Sequence, residues 1–162
     1  MRIWTEPRSE SSWMMTSAPP PRAPRRMGSR QNRPMTRDGL SGIYRGYIDC
    51  LNRQDWNELK AFVHDDVRYN GEYVGLSGYR AMLEADFRAI PDLHFNIELL
   101  ISDPPRIASR LRFDCTPVGE LFGLPVNGRR VQFEENVFYE FAGTRIVKVW
   151  SIIDKAAIAS QI

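Results

Sequence analysis

The chain has few of the side chains that hold metals or act as nucleophiles. Two cysteines, Cys50 and Cys115, and two histidines, His64 and His94, are scattered through 162 residues. The cysteines form no closely spaced pair and the histidines join no cluster, so no metal is expected. Cys50 falls on a predicted helix and Cys115 on a predicted strand. Two buried, reduced thiols are therefore expected, and with them a cytoplasmic protein. No apolar run approaches the ~18 residues that suggest a membrane span, so a soluble protein is expected. There is also no Gly-x-Ser-x-Gly elbow and no phosphate-binding glycine loop. What remains is the composition of an ordinary globular domain, 43% hydrophobic and 26% charged.

The basic pI, near 8.7, is misleading about partners. Residues 1–34 carry seven arginines against two glutamates, whereas residues 35–162 hold 15 basic and 18 acidic side chains. The acidic remainder shows no phosphate-binding stripe, so nucleic acid is not an expected partner. The same 34 residues contain six of the eleven prolines and no apolar periodicity. They read as a disordered Pro/Arg-rich extension. A secretory signal would need an apolar stretch of roughly 7–15 residues, and prolines would break the helix of a transit peptide. The favoured account is an internal start at Met35, with a tail that has no role and one domain over 35–162.

Within that domain Leu40, Ile43, Tyr44, Tyr47, Ile48 and Leu51 recur at helical spacing. Trp56, Leu59, Phe62 and Val63 suggest a short second helix, and Asn70-Gly71 closes a strand and turn. A third helix is predicted over 77–90, stopping before Pro91. Strands follow over 93–101, 107–116, 131–141 and 146–153. Helices first and antiparallel strands afterwards describe an α+β domain. On the second of these strands Ile107, Ser109, Leu111, Phe113 and Cys115 share one face. Leu93, Phe95, Ile97, Leu99 and Ile101 do so on the first, while Glu98, Arg110, Arg112 and Asp114 form a charged ladder opposite.

Two carboxylates interrupt apolar stripes. In the segment VQFEENVFYEF, Glu135 shares its face with Val131, Phe133, Val137, Tyr139 and Phe141. A buried, unpaired charge shifts its pKa, finds a partner or does chemistry. Glu135 is thus either a general base or acid with a raised pKa, or a residue paired with arginine or turned outward by a β-bulge. Asp86 lies in the stripe Tyr79, Met82, Leu83, Phe87, Ile90, and two carboxyls in one dry cavity would raise each other's pKa. The plainer reading places Asp86 at the stripe's edge, bound to arginine or a backbone amide. His64 follows a helix end and His94 lies on a polar face, so neither is a natural base.

The stretch GELFGLPVNGRRV (119–131), followed by ENVFYEFAGTRIVKVWSIIDKAAI, resembles the SnoaL-like polyketide cyclases, also called ester cyclases. These belong to the superfamily with the nuclear-transport-factor-two-like, cystatin-like cone fold. Gly119, Leu121, Gly123, Pro125, Gly128, Arg129, Ile146, Trp150 and Asp154 stand at the motif positions. The resemblance spans roughly residues 38–160. It implies helices packed on a strongly curved antiparallel β-sheet, forming a cone with an internal pocket, and intramolecular aldol ring closure without metal or cofactor. Where the family carries a catalytic aspartate and a histidine, this chain has Val137 and Pro117. The expected function is cofactor-independent proton abstraction next to a carbonyl in a small apolar or polycyclic substrate, as in a lyase or isomerase. Glu135 is the candidate base and Asp86 its candidate partner, with Tyr139, Trp150, Val137, Phe133 and Phe113 around the substrate. The alternatives are a non-catalytic small-molecule binder, or a related cofactor-free hydrolase or isomerase. A homodimer through the sheet is expected, with no membrane partner.

Overall fold

The computed structural model describes residues 34–162, so the expectations for residues 1–33 lie outside it. Helix α1 (Arg37–Asn52) starts where Thr36 Oγ1 accepts the Gly39 N–H at 3.0 Å, an N-cap that satisfies one of the first free donors. Its buried face, Leu40, Tyr44, Tyr47, Ile48 and Leu51, follows the predicted stripe. Helix α2 is only Leu59–Phe62. Trp56 stays in the preceding turn, and β-branched Val63 opens strand β1 (Val63–Tyr69) instead, fully buried beside Ile146. After β2 (Glu72–Tyr73), helix α3 (Gly75–Ala89) begins slightly earlier than predicted and ends before Pro91 as expected.

The long strands are β3 (Asn96–Asp103), β4 (Arg106–Cys115), β7 (Val131–Ala142) and β8 (Arg145–Ile153). A small hairpin, β5 (Glu120–Leu121) and β6 (Leu124–Pro125), intervenes, and a short helix α4 (Lys155–Ala159) closes the chain. The six-stranded sheet runs β2-β1-β8-β7-β4-β3. It is mixed rather than wholly antiparallel, because β1 pairs with β8 in parallel. The long chain between those two strands supplies the crossover that parallel pairing requires. Helix α4 gave no apolar stripe to read. Asp154 caps it by accepting the Ala157 N–H at 2.9 Å.

Alternation predicts the faces of β4 and β7 correctly: Ile107, Ser109, Leu111, Phe113 and Cys115, and Val131, Phe133, Val137, Tyr139 and Phe141, are all buried. Cys50 and Cys115 are free and buried, which pushes both thiols up to about 11. Two other strands depart from simple alternation, each at a bulge. On β3, Ile97 pairs with Leu111 but Leu99 with Arg110, so Glu98 is the extra residue. Leu99 and Ile101, read as inward, are therefore turned out, at 53% and 56% exposure. On β8, Glu140 pairs with Lys148 and Phe141 with Ile146, leaving Val147 extra. That inverts the outer half of the strand. Trp150, read as a pocket wall, faces solvent, and Ser151 takes the inner face.

On the outer face the predicted charged ladder forms. Arg110 reaches Glu134 at 3.4 Å, Arg112 faces Glu98 at 4.0 Å, and Arg130 grips Asp114 at 2.7 Å. Inside, α1 is tied to the rim of the sheet by a side-chain amide. Asn52 Nδ2 donates to the Phe95 carbonyl at 3.0 Å, and the Phe95 N–H donates to Asn52 Oδ1 at 2.8 Å. Both backbone groups of a residue outside the strand ladder are thus satisfied by one side chain. Asn52→Ala is expected to lower stability by about 1–3 kcal/mol, measured by urea denaturation, because it strands two partly buried groups at once.

Candidate functional site

A cavity of about 170 Å³ opens between α3 and the inner sheet face. Four phenylalanines form one part of its apolar wall. Phe95 meets Phe113 edge-on at 5.5 Å, Phe113 stacks on Phe133 at 5.0 Å, and Phe122 stands edge-on to Phe133 at 6.2 Å. These contacts use the favoured offset and T-shaped geometries of ring quadrupoles, which hold a wall in one shape. Phe122 arrives from the β5–β6 hairpin, where it has φ +50 between Gly119 at +68 and Gly123 at +85. The glycines of the 119–128 segment turn the chain tightly enough to aim this ring at the cavity.

Both questioned carboxyls line this cavity. Glu135 points inward from β7, and Asp86 faces it from α3. Among the described residues neither has an ion pair, so the arginine-paired and outward-turned alternatives do not describe Glu135. Burial raises its pKa above the ordinary glutamate value, and the Asp86 charge adds to the rise. In the other direction, Ser151 Oγ donates a hydrogen bond to Glu135 Oε1, which favours the ionised form. Among the described residues the Asp86 carboxyl has no donor, and burial pushes it up to about 6. The two carboxyls therefore have different surroundings, one with a hydroxyl partner and one with none.

Tyr69 completes the polar lining from β1. Burial raises its phenol pKa, as do the nearby Glu135 and Asp86 charges, so it stays a neutral donor. A recess of about 50 Å³ continues behind the carboxyls. Val137 and Tyr139 lie there rather than in the main chamber, together with Tyr47 and Tyr79, whose hydroxyls are hydrogen-bonded at 2.7 Å. Burial holds Tyr47, Tyr79 and Tyr139 protonated.

The structure thus brings Glu135, Asp86, Phe133 and Phe113 to one chamber, sets Val137 and Tyr139 in its floor, and excludes Trp150. Pro117 is buried but contributes its carbonyl to the Gly128 N–H at 2.9 Å rather than a group to the chamber. His64 and His94 bond to their own strand neighbourhood, His64 to the Asp66 N–H and His94 to Asn96. Among the described residues no cluster of three or more His, Cys, Asp or Glu could hold a metal. Sequence reasoning missed Tyr69, Phe122 and Ser151. Tyr69 precedes the Asn70-Gly71 turn, and Asn70 Oδ1 in fact accepts the Ser151 N–H at 2.9 Å. The parity of β8 concealed Ser151.

Because Asp86 titrates near 6 when folded and near 4 when unfolded, the folded state holds its proton more tightly. Below the unfolded value there is no cost; as pH rises through the folded value the cost becomes complete. Asp86→Asn is therefore expected to stabilise the domain by about 1–3 kcal/mol at pH 8. The gain should shrink as pH falls toward 4, as read by chemical denaturation at each pH.

No curated protein matches the chain. The SnoaL-like polyketide cyclase family model matches residues 41–162. Among solved structures, a SnoaL-like polyketide cyclase from Agrobacterium tumefaciens is 56% identical, covering 75% of this chain and 96% of that one, with a TM-score of 0.74. At the level of fold alone, TsrD from Streptomyces laurentii (20% identity, 79% and 97% coverage, TM-score 0.70) and IdmH from Streptomyces antibioticus (19%, 75% and 96%, 0.66) are also similar. The helices laid on a six-stranded, largely antiparallel sheet, the glycine segment and the close relative agree, and the chain belongs to the SnoaL-like polyketide cyclase family with the nuclear-transport-factor-two-like fold.

Proposed function

We propose that the cavity removes a proton from carbon next to a carbonyl, without a cofactor, in an aldol-type ring closure of a small apolar substrate. The observation that carries this reading is a pair of half-buried carboxyls with no ion pair among the described residues, one hydrogen-bonded by a hydroxyl and one not. Glu135, favoured as the ion by Ser151, takes the α-proton, and the electron pair passes to the carbonyl oxygen. Asp86 in its acid form, with Tyr69, donates hydrogen bonds to that enolate oxygen. The enolate carbon then attacks a second carbonyl of the same molecule, and the new alkoxide recovers the proton from Glu135. A filled chamber excludes water and raises Asp86 further, which keeps it in the acid form.

Glu135→Gln should reduce deuterium exchange at the α-carbon of a bound ketone in D₂O by about 100-fold or more, as expected for loss of a general base. Asp86→Asn, which keeps a donor, should retain most exchange and lose the fall in rate that wild type shows as pH rises past about 6. The groups facing Asp86 are Glu135 from β7, Tyr69 from β1 and, in the recess, Tyr47, Tyr79 and Tyr139. Unchanged exchange in Glu135→Gln removes the base assignment. Binding without exchange in wild type leaves a ligand carrier, a reading favoured by the loss of acid and histidine at Val137 and Pro117.

The outer sheet face supports a homodimer. Trp150, Phe138, Ala108 and Ile101 are successive cross-strand neighbours, so the two bulges align an apolar row across four strands. Charges of both signs flank it, Lys148, Glu140 and Arg106 on one side and Arg110 and Glu134 on the other. A mixed border of this kind can meet its own copy without like-charge repulsion. Sedimentation is expected to give a dimer for wild type and a monomer for Trp150→Glu. A wild-type monomer, or a dimeric variant, overturns this.

A further inference from the structure

The chamber is small for its kind. Pockets for drug-sized ligands occupy about 300–1,000 Å³, while a cavity of about 150 Å³ lined by apolar side chains accommodates benzene. The 170 Å³ chamber therefore matches one ring, and the 50 Å³ recess behind it takes a substituent of a few atoms. Its walls impose a second restriction. Among the described residues, the side chains that line it include Asp86 and Glu135 but no lysine, arginine or histidine. Beside the two carboxyls an anionic group would leave water with no lining cation to pair it, Lys155 being placed against the Phe122 ring, 5.8 Å from its centroid.

We propose that this site is built for an uncharged single-ring carbonyl compound, that further fused rings gain little affinity there, and that it turns away molecules with a carboxylate beside the carbonyl. The proposal rests on the carbonyl chemistry assigned above. The ring lies in the slot formed by Phe95, Phe113 and Phe133, its carbonyl directed to the carboxyls and Tyr69. Phe122 stands at the chamber wall on its glycine-flanked turn and limits extension on that side. Any further fused ring would remain in solvent, where it adds no buried area. Burying each added ring would otherwise tighten binding by roughly tenfold.

The test is an NMR titration of the full chain at pH 8 with acetophenone, 2-acetylanthracene and phenylglyoxylate, whose carboxylate adjoins the ketone carbonyl. Acetophenone should shift resonances of the Phe95, Phe113 and Phe133 wall. The three-ring ketone should bind less than tenfold more tightly than acetophenone, and phenylglyoxylate at least tenfold more weakly. Substituting Asp86→Asn and Glu135→Gln together should close the gap between acetophenone and phenylglyoxylate. A tenfold or greater gain for the three-ring ketone overturns the size restriction. Equal binding of phenylglyoxylate by wild type overturns the charge restriction, and no response to acetophenone overturns both. Methyl deuterium exchange of acetophenone in the same samples separates the two levels: the expected order of affinities without exchange leaves this inference standing and removes the proton-abstraction reading.

Discussion

The hydroxyl of Ser151 on the carboxyl of Glu135 is the contact on which the character of the cavity depends. Without it the chamber would contain two acids that burial drives alike toward neutrality, with nothing in their surroundings to tell them apart. With it, one acid is held toward its ion while its neighbour across the chamber is not. The apolar walls set how far both pKa values rise, so the phenylalanine packing is part of the electrostatics as well as of the shape. The cost of keeping ionisable groups there falls on the rest of the fold, where α1 buries Tyr44 and Tyr47 against Tyr139.

Rigidity around this contact comes from side-chain amides as much as from the sheet ladder. Asn52 holds the backbone of Phe95 at one edge of the chamber. At the same end of the sheet Gln161 repeats the device on β7, its Oε1 accepting the Gln132 N–H at 2.9 Å and its Nε2 donating to the Gln132 carbonyl at 2.7 Å. In each case a helical or C-terminal segment replaces a missing strand neighbour. The aromatic wall between these anchors is thereby held without an additional strand, leaving the chamber side accessible.

Much of this was legible in the chain. Helical spacing located α1 and α3, alternation gave the buried faces of β4 and β7, and the oddity of Glu135 and Asp86 within apolar stripes led to the cavity. The errors in which way a side chain faces share one physical origin. A bulge adds a residue without any mark in the pattern of apolar and polar side chains, so Leu99, Ile101 and Trp150 were assigned inward and Ser151 outward. The parallel pairing of β1 was hidden for a different reason, since strand direction depends on where the chain returns and not on local composition. Phe122 needed a backbone conformation, φ +50, that only the surrounding glycines hint at.

The extra residue at Val147 has a consequence for how this scaffold changes over time. Everything on β8 beyond that point is displayed on a face determined by a single count. Losing one residue there would carry Trp150 into the interior and expel Ser151, altering the room available and the hydroxyl partner of Glu135 in one event. No codon for a chamber residue would have changed. Homologues with nearly identical interior side chains can therefore differ in chemistry because of an insertion or deletion that an alignment would score as a minor gap.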